Sequence, residues 1–423
     1  MIHVALKPLN VNSSLVLFLC LACSLTARAD ILFINDATVH TMGSTGVIQD
    51  GDILIRDGRI ESVAAGLEAP ADATIIEALG RPVTPGFFAG ITGLGLDEIS
   101  AVDSSVDTGL STDGLRPEFD VTPAYNPYAS TIPVTRIEGY TWTVLGARRS
   151  GSIIGGQGQA ASLNGAYQPF LGGRVLFIDV GADASGQSGD SRAAQWMLLE
   201  QAMAEAAEEV RWSPDPLLTV AGRKVLAGYQ GNGIVVFNVD RASDILQVIE
   251  FSKRHDLNSV ISGGTEAWMV ADQLAEAGVP VLIDALSNLP GSFDKLGARL
   301  DNAAILNEAG VTFAFYGTET HQARKLRQLA GNAVSNGLPY EAGLAAMTVS
   351  PAVIFALGDE YGSIEENSVA DLVIWSGDPL EVTAAADQVI IAGKPVEMVS
   401  RQTLLRDRYL PENPDLPRAY IKP

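Results

Sequence analysis

Side chains able to carry acid–base work fall at or just past the ends of apolar runs in the second half of this 423-residue chain. Asn238 and Asp240 close the run GIVVFNV, Glu266 follows NSVISGG, and Asp284 and Asn288 follow PVLI. Glu319 and His321 follow VTFAFYG, two residues apart, so a carboxylate stands where it can orient an imidazole or raise its basicity. The same pair also suits the cap region of a helix that starts near His321. Asp284 reads as an acid or base, or as a loop cap or ion-pair partner of Lys295 or Arg299. Glu319, His321 and Asp284 are therefore the catalytic candidates, with carboxylate and imidazole acid–base chemistry as the expected means.

Other chemistries are disfavoured by composition. The two cysteines, Cys20 and Cys23, lie in an apolar segment from Ser13 to Thr26, preceded by Lys7 and followed by Ala27-Arg28-Ala29. That arrangement reads as a secretory signal peptide cleaved after Ala29, which predicts a periplasmic or secreted protein. A lipid anchor on Cys23 ranks second, because CLAC lacks the usual leucine three residues earlier. The mature chain would then have no thiolate nucleophile, disulfide or zinc–cysteine site. Its histidines would be His40, His255 and His321. The glycine-rich GLGLDE and GGQGQA lead neither to a phosphate-binding loop nor to a dinucleotide fingerprint, and GQSGD falls one residue short of a serine elbow. Of 28 basic residues, Lys7 and Arg28 go with the leader, leaving 26 against 50 acidic ones, a net −24. So acidic a surface disfavours nucleic acid and anionic lipid. No later apolar stretch has spanning length, so no stable membrane insertion is expected after cleavage.

The elements that must hold these side chains fall into two kinds. Ile31–Met42 and Gly51–Ala64 alternate apolar and polar residues around an Asp57-Gly58 turn, and Ala370–Leu380 and Val389–Val399 do the same near the other end. These ends predict one small sheet domain. Between them, strand and helix patterns alternate. Strands are expected at Phe87–Leu94, Tyr140–Ala147, Arg174–Gly181, Gly233–Val239, Asn258–Ser262, Pro280–Leu286 and Val311–Gly317. An eighth is expected within Ser150–Gly173 or after Trp212. Helices are expected over Ser243–His255, from Thr265 to Gly278, and over Leu296–Ala309, His321–Ser335 and Tyr340–Leu357. Ala193–Val210 reads as a solvated outer helix without chemistry. A (β/α)8 barrel is the economical closure, with an open doubly wound sheet as the alternative.

Five stretches, in order, resemble the amidohydrolase superfamily, specifically its imidazolonepropionase-like branch: DGRIESV (Asp57–Val63), RPVTPGFFAG (Arg81–Gly90), GTETHQARKL (Gly317–Leu326), GLPYEAGLAAMTVSPAVIFAL (Gly337–Leu357) and GSIEENSVADLVIWSGDPL (Gly362–Leu380). The segment from Gly95 to Asn232 matches weakly. The resemblance implies a (β/α)8 TIM-like barrel at 86–365 and a composite β-sandwich from 30–85 and 366–423. It also implies one or two divalent metals held by a His-x-His on strand 1, a carboxylated Lys or Glu on strand 4, histidines on strands 5 and 6, and an Asp on strand 8. In this chain the His-x-His positions fall on Ile91 and Gly93, the strand 5 and 6 positions near Asn238 and Ser262, and the last Asp position on Glu319. Three scattered histidines do not supply such a centre, so no cofactor is expected beyond at most one weakly held divalent ion.

The expected function is an exported hydrolase of a C–N bond (cyclic amide type, not a peptide bond) or an ester bond in a small molecule, with the binuclear centre lost. The alternative is a non-catalytic barrel that binds a small molecule or a partner in the cell envelope; oligomers are compatible with either.

Overall fold

The computed structural model describes residues 30–112, 114–148, 151–207, 215–317 and 319–410. The expected leader, Trp212 and the tail of the long helix at Val210 lie outside them.

Both ends of the chain build the first sheet. Strands β1 (Ile31–His40), β2 (Val47–Arg56), β3 (Arg59–Ala65), β4 (Thr74–Glu77) and β5 (Pro82–Pro85) come from the amino-terminal end. Eight more, β6 to β13, form the second sheet: Phe87–Thr92, Tyr140–Leu145, Ile154–Ser162, Phe170–Asp179, Ile234–Val239, Asn258–Gly263, Val281–Ile283 and Phe313–Phe315. The chain then returns to the first sheet with β14 (Leu372–Trp375), β15 (Ala386–Ile391) and β16 (Lys394–Pro395). The first sheet runs β16-β15-β14-β5-β1-β2-β3, with β4 paired in parallel to β1. Its β2–β3 turn is the expected Asp57-Gly58, with φ of +50° and +83°, the left-handed pair that two-residue hairpins require.

The second sheet runs in chain order from β6 to β13. Its edges meet across glycine. A Cβ on Gly90 of β6 would stand 3.7 Å from Tyr316 Cα, and the Gly93 N–H donates to Thr320 Oγ1 at 3.0 Å just beyond β13. The result is a nearly closed eight-stranded barrel. One strand departs from the expected all-parallel order. β8, found in the stretch proposed for the eighth strand, is antiparallel to both β7 and β9. The β8–β9 link is short, and a connection of that length permits only a hairpin.

The period-2 alternation of the strands splits the core in two. Phe177, Val236, Val260, Leu282 and Ala314 point inward and pack with Phe88 and Trp142; Phe355 and Leu357, after the helix Val349–Ile354, join that same inner cluster. Ile178, Val235, Phe237, Ile261, Ile283 and Phe315 point outward beneath Ile245, Val248, Phe251, Leu274 and Leu306 of the surrounding helices. Trp375 of β14 ties the sheets together: its Nε1 donates to Thr84 Oγ1 at 2.9 Å and its ring lies 4.9 Å from that of Phe87.

Several expected helices are shorter or interrupted. Tyr340–Leu357 breaks into Tyr340–Ala345 and Val349–Ile354, because Pro351 suits only a first turn. Leu296–Ala309 contracts to Asn302–Glu308. The helix Arg192–Ala206 is not merely solvated. Glu205 is fully buried and accepts the N–H groups of Leu217 and Leu218, each at 3.0 Å, while buried Gln195 exchanges two hydrogen bonds with Gly181.

Candidate active site

Following each strand of the inner layer by two residues past its last apolar side chain reaches a polar one: Asp179 after Phe177, Asn238 after Val236, Ser262 after Val260, Asp284 after Leu282, Tyr316 after Ala314. Period-2 geometry aims all five into the carboxyl end of the barrel. There four of them, Asp179, Asn238, Ser262 and Tyr316, line a cavity of about 300 Å³ together with Thr92 from β6 and Arg148 beyond β7, while Asp284 does not line it. The carboxyl face is where such barrels place their chemistry.

Within the cavity, Asn238 Nδ2 donates to Asp179 Oδ1 at 3.1 Å, the two residues being directly opposed in the β9–β10 register. Tyr316 carries a phenol whose ionisation is pushed well above the ordinary range, first by burial and then by the carboxylates of Asp240, Asp284 and Asp179. A phenol so placed stays protonated and presents an O–H.

The other strand-end carboxylates are committed elsewhere. Asp240 accepts Thr265 Oγ1 at 2.5 Å and pairs with Lys295 Nζ at 3.2 Å. Glu266 is buried and takes the Ala242 and Gly297 N–H groups, each at 3.0 Å. Asp284 accepts the Leu286 N–H at 2.9 Å and is half-buried beside Tyr316. Asn288 is exposed. Glu319 and His321 are not brought into the cavity. Both are exposed at the head of the 3-10 turn Thr320–Lys325, and neither lines it. The short β13 is the reason: the chain leaves the barrel at Tyr316 and Gly317, so the residues that follow stand on the rim. Sequence reasoning passed over Tyr316, Asp179 and Arg148. Counting inward and outward positions along the continuous apolar runs of β9 and β13 was the signal that could have found the first two.

The donors at this mouth do not match a binuclear metal centre. Among the described residues no three His, Cys, Asp or Glu side chains gather in a way that could hold an ion. His40 lies at the end of β1 with its ring 6.4 Å from that of Tyr340, and His255 Nε2 is 2.7 Å from Glu200 Oε2 on the outer helices. The position that the resemblance gives to the second strand-1 histidine is tight for a side chain, whose neighbours would have to give by a few tenths of an ångström. A Cβ on Gly93 would meet Thr108 Cγ2 at 3.0 Å, Thr320 Oγ1 at 3.1 Å and Asp97 Cβ at 3.2 Å.

A model of an amidohydrolase family matches residues 308–397. A solved amidohydrolase from Thermotoga maritima MSB8 superposes with a TM-score of 0.78 at 24% identity, over 86% of this chain and 99% of that one. The chain carries an amidohydrolase-family segment on an amidohydrolase fold. A prolidase solved with N-methylphosphonate-L-proline has the same fold at lower similarity, with a TM-score of 0.54 and 16% identity over 87% of this chain and 99% of that one. Among curated proteins, the amidohydrolase tasK of Hapsidospora irregularis is 47% identical over 49 residues, which cover 12% of this chain and 5% of that protein's length. The amidohydrolase match takes in β13, the helices after it and the return to the first sheet, the region where three of the five sequence stretches lie.

Proposed function

We propose that this amidohydrolase-fold protein is a hydrolase that cleaves a C–N bond of the cyclic amide type, or an ester, in a small molecule, and that it works without the family's binuclear metal centre. The observation that carries this reading is the partly buried Tyr316 phenol sharing a cavity of about 300 Å³ with Asp179. Asp179, held by Asn238, takes a proton from a water as its oxygen attacks the carbonyl carbon. The Tyr316 O–H donates to the oxygen that gains charge in the tetrahedral intermediate, and its raised pKa keeps the proton in place. When the C–N or C–O bond breaks, the proton on Asp179 passes to the departing nitrogen or oxygen. Asp284 supports the field at Tyr316, while Glu319 and His321 serve from the rim as outer candidates for substrate or proton traffic. One general base of this kind contributes roughly 10²–10⁴-fold, which suits an activated ring or ester better than a plain amide.

The same reading places the protein outside the cytoplasm after cleavage behind Ala29, within the imidazolonepropionase-like branch. Its support is the Lys7, apolar and Ala-Arg-Ala pattern and the five stretches of sequence.

Cyclic imides, lactones and N-acyl amino acids are to be screened with and without a strong chelator. Turnover that persists in chelator and is lost in Asp179→Asn supports the reading. Turnover abolished by chelator and restored by zinc overturns the metal-free mechanism. No turnover, together with a compound that raises the melting temperature, moves the protein to the class of non-catalytic binders.

A further inference from the structure

The segment that follows β12, residues 284–297, does not turn away from the barrel but folds back across the ends of its neighbours. Three residues at its far end, Asp294, Lys295 and Gly297, fix it there. Asp294 accepts the Ala182 N–H, just past β9, at 2.8 Å and pairs with Arg192, which also holds Asp244. Lys295 reaches Asp240 at the end of β10. The Gly297 N–H donates to Glu266, beyond β11, and the Gly297 carbonyl accepts from Trp268 Nε1 at 2.8 Å. The strap therefore crosses the carboxyl ends of β9, β10 and β11, the strands that supply Asp179, Asn238 and Ser262 to the cavity.

What the strap displays does not fit a solvated loop. Leu286, Leu289, Phe293 and Leu296 are 51%, 73%, 85% and 63% exposed, and Met269, whose terminal methyl lies against Gly297, is 45% exposed. Scattered surface leucines call for no explanation, but four large exposed apolar side chains within about eleven residues, on a segment whose far end is pinned across the strand ends, mark a contact surface. The charged anchors hold the backbone while the apolar side chains stay in water, so the segment gains nothing in folding from their identity.

We infer that the strap is the binding surface for an apolar arm of the substrate: the scissile polar end sits among Asp179, Asn238 and Tyr316, and an aliphatic or aromatic chain lies on Leu286, Leu289, Phe293 and Leu296. The substrate class is an amphiphilic acyl compound. This rests on the reading of the mouth as the reactive site, but not on turnover.

The test uses the full chain and a homologous series of N-acyl amino acids from acetyl to decanoyl. Binding is followed by calorimetry, and KM and kcat wherever hydrolysis occurs. Affinity is expected to rise about threefold per methylene until the rim is covered. Leu289→Ser/Phe293→Ser, both highly exposed, should abolish that gradient without lowering the melting temperature; Val382→Ser, an exposed apolar site outside the strap, should leave the gradient and the affinity for the acetyl compound intact. Equal affinity for all chain lengths overturns the inference, even if short compounds are hydrolysed. A gradient without hydrolysis keeps it and sinks the catalytic reading instead. Retention of the protein on neutral phospholipid vesicles, lost in the double variant, without a gradient for free acyl compounds, overturns it in favour of a membrane contact.

Discussion

Replacing Asp371 with Asn should change how stability depends on pH more than it changes stability itself. Asp371 opens β14 at the junction of the two sheets and is buried. Its Oδ1 accepts the Ala392 N–H at 2.7 Å, and its backbone carbonyl accepts from Gly86 N at 2.8 Å. Oδ2 and the buried Thr141 hydroxyl each lack a well-aligned hydrogen bond, but the hydroxyl stands close enough to act on the carboxyl. Burial raises the carboxyl to about 7, with the Ala392 N–H and the Thr141 hydroxyl opposing. In the unfolded chain the group titrates near 3.9. Between those values the folded state binds more protons than the unfolded one, so this site makes stability fall as pH rises from about 4 to about 7 and level off above. Moving a carboxyl that far corresponds to roughly 4 kcal/mol, an upper bound because a buried site relaxes. Asn keeps the acceptor for Ala392 and offers an N–H₂ to the hydroxyl of Thr141, so it stands in for the protonated acid. Urea unfolding at steps from pH 4.5 to 8 is expected to show Asp371→Asn gaining on the parent by about 2–4 kcal/mol across that range. Titrations common to both proteins cancel in the difference. A difference that stays flat with pH, or that grows toward acid, would refute the assignment of a raised pKa.

Three further outcomes follow from the geometry. Glu205→Ala should cost roughly 3 kcal/mol or more in unfolding experiments, because it strands the N–H groups of Leu217 and Leu218 and the guanidinium of Arg223 in a buried place. Burial raises that carboxyl, but those N–H groups and Arg223 bring it below its ordinary value, so its contribution is present above about pH 4.5 and is lost as acid protonates it. Ile91→His/Gly93→His should fail to create a zinc site and should lower the melting temperature, as measured by elemental analysis and calorimetry; one tightly bound equivalent of zinc would show that Thr108, Thr320 and Asp97 yield more easily than their 3.0–3.2 Å approaches imply. In any assay that detects turnover, Asp179→Asn should reduce kcat by about 10²-fold or more, and Glu319→Gln by under tenfold; the reverse order would return the catalytic role to the rim.

The sequence carried the architecture because the architecture rests on periodicity. Alternation in Ile31–Met42 and Gly51–Ala64, and the continuous apolar runs of β10, β12 and β13, reflect burial on one face or two, and that is a property of each segment alone. The orientation of β8 was not legible for the opposite reason. Gln157, Gly158 and Gln159 sit between apolar residues of a strand whose direction is set by the short link to β9, not by its own pattern. The site divides along the same line. Asn238 and Asp179 belong to the cavity because they continue the inward parity of Val236 and Phe177; Asp284 follows Leu282 by the same count but stands beside Tyr316 without lining the cavity. Glu319 and His321 drew attention by being chemically capable and closely spaced, yet nothing in that spacing says whether a strand is still running when the chain reaches them. β13 ends at Phe315, Tyr316 and Gly317 are the last residues to line the cavity, and the pair is left on the rim. Parity within a strand can be counted from the sequence; where the strand stops depends on the strands beside it. β12 and β13 pair over three residues each, so the barrel presents Tyr316 at its last inward position and gives the cavity a phenol, while Glu319, which the family resemblance matched to a metal-binding carboxylate, stays on the rim.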